Sequence, residues 1–208
     1  MANAVDKEQI EMLSRWWNTY GKGIVIAILV ALVLSLGWRY WVQSKENHRA
    51  KASLIYQALL SSAMVKKPSE MSLQLTELKT KFADTPYAGL GALLMARFDV
   101  EAKKYSEALT QLNWVIYSTN LNEFRQLARL GAAQILLEQK QWLQAQQMLQ
   151  TVDDKTYQSL VDNLLGQIFM AQNEPEKARQ AFVKAKAGFQ QAGLSTSVID
   201  MELNTVNF

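Results

Sequence analysis

Residues 23–38, GIVIAILVALVLSLGW, form an uncharged run of sixteen residues bracketed by Lys22 and Arg39. Trp16, Trp17 and Tyr20 precede the run, and Trp38, Tyr40 and Trp41 close it. A helix buried in a water-soluble core needs no aromatic belt at each end, whereas Trp and Tyr concentrate at both faces of a bilayer. The hydrocarbon core is about 30 Å thick and is crossed by roughly 20 helical residues. Tyr20 to Val42 supplies 23 residues, about 34 Å at 1.5 Å per residue. Lys22 and Arg39 fit within that span because long basic side chains reach back to the interface. A cleaved signal peptide fits less well, because 22 mixed-charge residues precede the run and Trp38 directly follows the small-residue triplet Ser35-Leu36-Gly37. The expected organisation is therefore a tail over residues 1–19, a transmembrane helix in the lipid bilayer over 20–42, and a tethered domain over 43–208.

Basic residues near a span set its orientation, but here they balance. Lys7, Arg15, Lys22 and the free amine stand before it, and Arg39, Lys45, Arg49 and Lys51 after it. The tethered part is long enough for one domain with its own core. After Gln43 it carries 18 basic and 16 acidic residues, a balance that does not suggest a nucleic-acid protein. The chain has no cysteine, which rules out disulfides, thioether haem attachment, acylation at Cys and thiol catalysis. Only 3 Pro and 9 Gly in 208 residues, with abundant Leu, Ala and Gln, predict an all-α chain.

Within residues 6–20, Ile10, Leu13, Trp17 and Tyr20 fall on one helical face, with Asp6 placed to cap its start. Residues 45–64 keep helical spacing through Ala50, Leu54, Ile55, Ala58 and Leu59, and Lys66-Lys67-Pro68 ends the segment. Ser69 is expected to cap the next helix, which buries Met71, Leu75, Leu78 and Phe82. Asp84-Thr85-Pro86 breaks the chain again.

The remainder repeats. Ala108, Ala145 and Ala178 are spaced by 37 and 33 residues, close to the 34 of tetratricopeptide repeats. Each alanine is expected near the start of a second helix after a short turn. Leu165-Gly166, Phe169, Ala178, Phe182 and Ala185 show the pattern best. Met95-Ala96, Tyr105, Ala108 and Leu112 repeat it, as do Ala132-Ala133, Trp142, Ala145 and Leu149. Small residues sit where helices cross closely, and large ones fill the gaps between stacked pairs. The usual early Trp and late Pro are absent, which leaves a generic helical bundle as the alternative. Residues 187–194 read as a connector, and Ser195 or Ser197 caps a last helix whose Val198, Met201 and Val206 are expected to cover the end of the array.

No catalytic constellation emerges. His48 is the only histidine and has no cysteine or carboxylate cluster at ligand spacing, so neither a metal site nor a Ser–His–Asp triad is expected. Asp153-Asp154 reads as a solvated turn. Gly89-Leu90-Gly91 lies in a helical pattern rather than after a strand, and so forms no phosphate loop. No cofactor and no small-molecule substrate are implied. What remains is a protein-binding groove along the first helix of each pair, the helices that line the concave face of such arrays. The three alanines register it as Leu90, Leu93, Arg97 and Val100, then Leu127, Leu130, Gln134 and Leu137, then Leu160, Asn163, Gln167 and Met170. An apolar face with a few amides suits an amphipathic helix or an extended apolar peptide. Alternatively, these leucines are covered by the chain's own helices 45–64 or 195–206.

A family resemblance then follows. Glu8-Gln9-Ile10-Glu11, Trp16-Trp17, Tyr20-Gly21-Lys22, the apolar run and Gly37-Trp38-Arg39-Tyr40-Trp41 resemble the YfgM-like ancillary subunits of the bacterial SecYEG translocon. The likeness continues through Ala52-Ser53-Leu54-Ile55-Tyr56-Gln57, Tyr87-Ala88-Gly89-Leu90-Gly91-Ala92, Leu164-Leu165-Gly166 and Met201-Glu202-Leu203-Asn204. The resemblance implies a single-span inner-membrane protein with residues 1–19 cytoplasmic and the repeat domain periplasmic. It also implies association with the SecYEG translocon and a PpiD-type periplasmic chaperone, to which emerging polypeptides would be handed. No catalytic residues come with it. A structural scaffold for envelope assembly or cell division, or an accessory subunit of a membrane enzyme, is the alternative from the residues alone.

Overall fold

The computed structural model describes the backbone of residues 2–206, with side chains described at 12, 14–17, 20–23, 25, 26 and 29–206. Among the described residues there are nine α-helices, one 3-10 turn (Lys155–Tyr157) and no strand. The chain divides into two compact units, residues 1–50 and 51–208, and the division falls inside α1 (Ala2–Met64).

In the first unit the helix begins at Ala2, so Asp6 lies within it rather than capping it. The face expected over residues 6–20 is described only at Trp17 and Tyr20, which are exposed; the Ile10 and Leu13 side chains lie outside the described residues. Trp16 and Tyr20 pair at 6.1 Å between ring centroids, and Trp38 and Trp41 at 5.3 Å. The Lys45 ammonium sits 3.8 Å over the Trp41 ring. Residues 29–40 are exposed without interruption. Among the described residues no helix is long and apolar enough to cross a membrane. Within the expected span 20–42, the Ile24, Ala27 and Ile28 side chains lie outside the described residues.

The second unit begins with the end of α1, followed by α2 (Pro68–Lys81), α3 (Pro86–Glu101), α4 (Tyr105–Ser118), α5 (Asn122–Glu138) and α6 (Trp142–Gln150). The 3-10 turn leads into α7 (Gln158–Ala171), α8 (Pro175–Gln191) and α9 (Ser197–Val206). Five of its turns share one backbone device, four of them without glycine. Lys66, Lys103, Lys140 and Asn173 have φ of 54°, 60°, 60° and 61°, the left-handed region that usually takes glycine. In each case the next N–H reaches back five residues. Lys67 donates to Ser62 O at 3.0 Å, Lys104 to Asp99 O at 2.8 Å, Gln141 to Leu136 O at 2.8 Å and Glu174 to Phe169 O at 2.9 Å. These Schellman closures satisfy helix-end carbonyls and reverse the chain.

Its glycine-free form recurs at 37, 37 and 33 residues, so the end of α1 and α2 form a fourth helix pair. The sequence reading missed it because Met71 stands where the other pairs have Ala108, Ala145 and Ala178. All four are fully buried. Each is also the fourth residue of its helix.

Core packing refines other expectations. Ala52, Leu59 and Ser62 are buried at the end of α1, with Ile55 and Tyr56 packed beside them, whereas Leu54 is 64% exposed. The buried face is therefore rotated from the one expected. Met71, Leu75, Leu78 and Phe82 are buried as read from the sequence. α2 starts at Pro68, with Lys67 rather than Ser69 at the cap position, because a proline is best tolerated in the first turn. The expected connector 187–194 is mostly helix: α8 runs to Gln191, and the turn comes at Gly193, φ 69°. In α9 the buried residue is Ile199, with Leu203 and Val206 packed beside it. Val198 and Met201 are 57% and 61% exposed and do not cover the array's end.

Gly166 on α7 marks a close helix crossing. A Cβ there would lie 2.5 Å from Cε1 of buried Phe182 on α8. The principal contacts join helices adjacent or next-adjacent along the chain, such as α3 with α4 and α5, the pattern expected of stacked pairs.

Candidate functional site: an apolar cleft between first helices

Consecutive pairs bring α3 and α5 alongside, with α4 beneath. Alanine and glycine on the facing sides keep the space between them unfilled. The result is a cleft of about 540 Å³. Leu93, Ala96, Arg97, Val100 and Glu101 form the α3 wall. Leu127, Gly131, Gln134, Ile135 and Glu138 form the α5 wall, and Tyr105 and Leu112 of α4 make the floor.

Five of the twelve sequence-proposed residues meet here: Leu93, Arg97, Val100, Leu127 and Gln134. Leu90 is half-buried on α3 beyond the cleft. Leu130 is only 7% exposed and packs with Ala133, Leu136 and Ala145 in the second core cluster. Leu137 packs against that cluster and lines a neighbouring recess with Lys140 and Trp142. On α7, Leu160 is exposed and Asn163 half-buried, with its Oδ1 lacking a partner. Gln167 Nε2 donates to Glu202 Oε1 of α9 at 2.6 Å. Met170 packs against the third cluster, which includes Ile199 of α9. The α7 stretch is thus partly tied to the chain's own last helix. The floor residues Tyr105 and Leu112 were missed as site residues, because their spacing marks them as core of the second helix and only the pair geometry turns them upward.

The polar groups of the cleft are ordered by helix spacing. Arg97 Nε donates to Glu101 Oε1 at 3.1 Å, an exposed i,i+4 pair that satisfies both charges on one wall. Titratable groups shifted by burial lie elsewhere. Burial pushes Lys79 of α2 down to about 8, where its ammonium donates to Gln111 Oε1 and sits 4.7 Å over the Trp114 ring. Burial pushes Asp99 upward, with Lys104 opposing and Glu107 reinforcing the shift. Burial also raises Glu202, against the hydrogen bond from Gln167. Among the described residues no group of three or more His, Cys, Asp or Glu could hold a metal ion.

Stacked helix pairs with Schellman turns, buried small residues and a cleft between first helices define a helical-repeat protein. The chain belongs to the tetratricopeptide repeat-like domain family, matching it over residues 14–207. Over nearly its whole length it is similar to proteins named ancillary SecYEG translocon subunit. That of Aggregatibacter actinomycetemcomitans is 26% identical over 208 residues, 99% of this chain and 100% of the relative. That of Escherichia coli (strain K12) is 22% identical, over 97% of each chain. That of Neisseria gonorrhoeae is 21% identical, over 99% of each. The resemblance drawn from the sequence is therefore shared with full-length relatives.

Proposed function

We propose that the chain is a membrane-anchored, non-catalytic adaptor that works at the SecYEG translocon and helps pass secreted polypeptides to periplasmic chaperones, a PpiD-type chaperone among them. The observation that carries this reading is the near-full-length similarity to proteins named ancillary SecYEG translocon subunit. Residues 20–42 serve as the anchor, residues 1–19 as a cytoplasmic tail and 43–208 as a periplasmic binding domain. The uninterrupted exposure of residues 29–40 supports the anchor. Apart from Ser35, Val30 to Leu36 present hydrocarbon around the helix, and a helix apolar on nearly all sides must be covered by protein or lipid. The cleft between α3 and α5, with Leu93, Val100 and Leu127 on its walls, supports protein binding. Crosslinking in intact cells, followed by pull-down from detergent-solubilised membranes, tests the reading. Translocon subunits and a periplasmic chaperone should co-purify. Recovery of division or wall-synthesis proteins in their place would turn the assignment toward an envelope scaffold.

A further inference from the structure

We propose that the cleft between α3 and α5 takes an amphipathic helix of a partner protein, with a lysine or arginine at the edge of its apolar stripe seated against Glu138. The inference rests on reading the cleft as a protein-binding groove and adds the chemistry of its occupant. Both walls are helices whose amides are bonded internally, so no free edge invites strand addition, and a helix laid in the groove is the matching mode. The walls run from Leu93 to Glu101 and from Leu127 to Glu138, about 12 and 16 Å at helical rise, which is room for two to three turns of an occupant.

Charge decides the rest. Arg97 is already neutralised by Glu101 on its own helix. Glu138 has no ion pair or hydrogen bond from its side chain among the described residues, and it leaves the cleft with one uncompensated negative charge. Gln134 stands one turn before it, likewise without a side-chain partner. The repeat supplies the contrast. Gln167, which is Gln134 moved on by one repeat of 33 residues, is bonded across to Glu202 of α9. That link ties α7 to the neighbouring first helix. Between α3 and α5 no such link is made among the described residues, and an apolar space of about 540 Å³ stands open there with its carboxylate at the rim.

The test uses the full chain in phosphatidylcholine nanodiscs, with empty nanodiscs as the blank. The probes are fluorescent 15-residue helical peptides with leucines at three- and four-residue spacing and Lys, Gln or Glu at one stripe edge. Anisotropy at low salt should rank them Lys, Gln, Glu, with Lys about fivefold tighter than Gln, as expected for one partly exposed ion pair. Glu138→Gln should erase that preference, and Glu138→Lys should reverse it toward the Glu peptide. Equal affinity for the three peptides, or an undiminished preference in Glu138→Gln, would overturn the inference. Leu127→Ser separates the two levels of the claim. If the Lys peptide binds that variant as well as it binds the wild type, the peptide is not in the cleft and the groove reading itself fails. A dimer in sedimentation that Glu138→Lys disperses would also overturn the proposal, by making a second copy the occupant.

Discussion

Gly166 and Gly131 occupy interior turns of first helices, yet an added methyl group should act oppositely at the two. Alanine in a helix interior gains about 1 kcal/mol over glycine. At Gly131 the new Cβ would meet Leu112 Cδ1 at 3.5 Å, an ordinary contact. Gly131→Ala should therefore stabilise the protein by about 1 kcal/mol. At Gly166 the Cβ would lie 2.5 Å from a ring that is 1% exposed and has nowhere to move. Overpacking costs about 1–3 kcal/mol, so Gly166→Ala should destabilise and Gly166→Leu more so. Thermal melting followed by circular dichroism checks all three; a rise in melting temperature for Gly166→Ala would mean that α7 and α8 are not so closely apposed. Lys79 makes a second prediction at this scale. Its folded pKa, about 8, is below the ordinary 10.5. A base depressed on folding contributes stability above its unfolded pKa and loses it as pH falls through the folded one. Stability from this residue should therefore fall between about pH 10.5 and pH 8. Lys79→Met should flatten that slope and raise the melting temperature at pH 7. The Trp114 ring favours the charged amine by only about 0.5–1 kcal/mol, which leaves desolvation dominant.

Among the elements, the turns show where the sequence was opaque. Lysine and asparagine hold four left-handed positions that glycine would normally fill, so these turns were placed from the alanines and from Pro68 rather than from glycine. The three Lys at 37-residue spacing were lost among other surface lysines, and the first helix pair went unrecognised with them. The alanines were legible because three of the four pairs keep a fully buried alanine at one fixed place, and Met71 in that place hid the other pair. Left-handed backbone costs a side-chain residue roughly 1–2 kcal/mol. Lys103→Gly should recover part of this, up to about 1 kcal/mol after the added freedom of the unfolded chain is deducted. A lower denaturant midpoint for Lys103→Gly would contradict the turn assignment. The last helix offers a pH test. Glu202 is raised by burial, so its contribution to docking is greatest below its unfolded pKa and is lost as pH rises through the folded value. Amide protection in α9, exchange relative to the unprotected rate at the same pH, should therefore be greater in mild acid than at pH 7. Glu202→Gln, which keeps an acceptor for Gln167, should slow exchange there at pH 7; equal exchange in wild type and variant would remove Glu202 from the docking of this helix.

Across the whole chain, the apolar run and its flanking aromatic residues read as a span because that signal is local, a property of some twenty consecutive residues, although among the described residues no helix is long and apolar enough to cross a membrane. The cleft was half legible. Leu93, Arg97, Val100, Leu127 and Gln134 share one face of one helix each, which periodicity can find. Leu130 shares that periodicity but turns into the core, and only the angle between stacked pairs decides which leucine faces in. Leu130→Ala should therefore cost stability like other core leucines, about 2–5 kcal/mol, whereas Leu127→Ala, at a residue 44% exposed, should leave folding nearly intact. At this scale topology is the outstanding test. Alkaline phosphatase fused to the C-terminus should be active in intact cells, and activity of a cytoplasm-only reporter in its place would reverse the proposed orientation. The chain-neighbour contact pattern, in which each helix leans mainly on those beside it in sequence, also has a mechanical meaning. Among the described residues of the second unit, the principal helix contacts include no long-range clasp that would rupture at once on stretching. Residues 51–208 should yield in a ladder of small steps, each releasing one helix pair of 33 to 37 residues. At 3.3–3.6 Å per residue each step frees roughly 110–130 Å of contour, so the domain would act under load as an extensible spring.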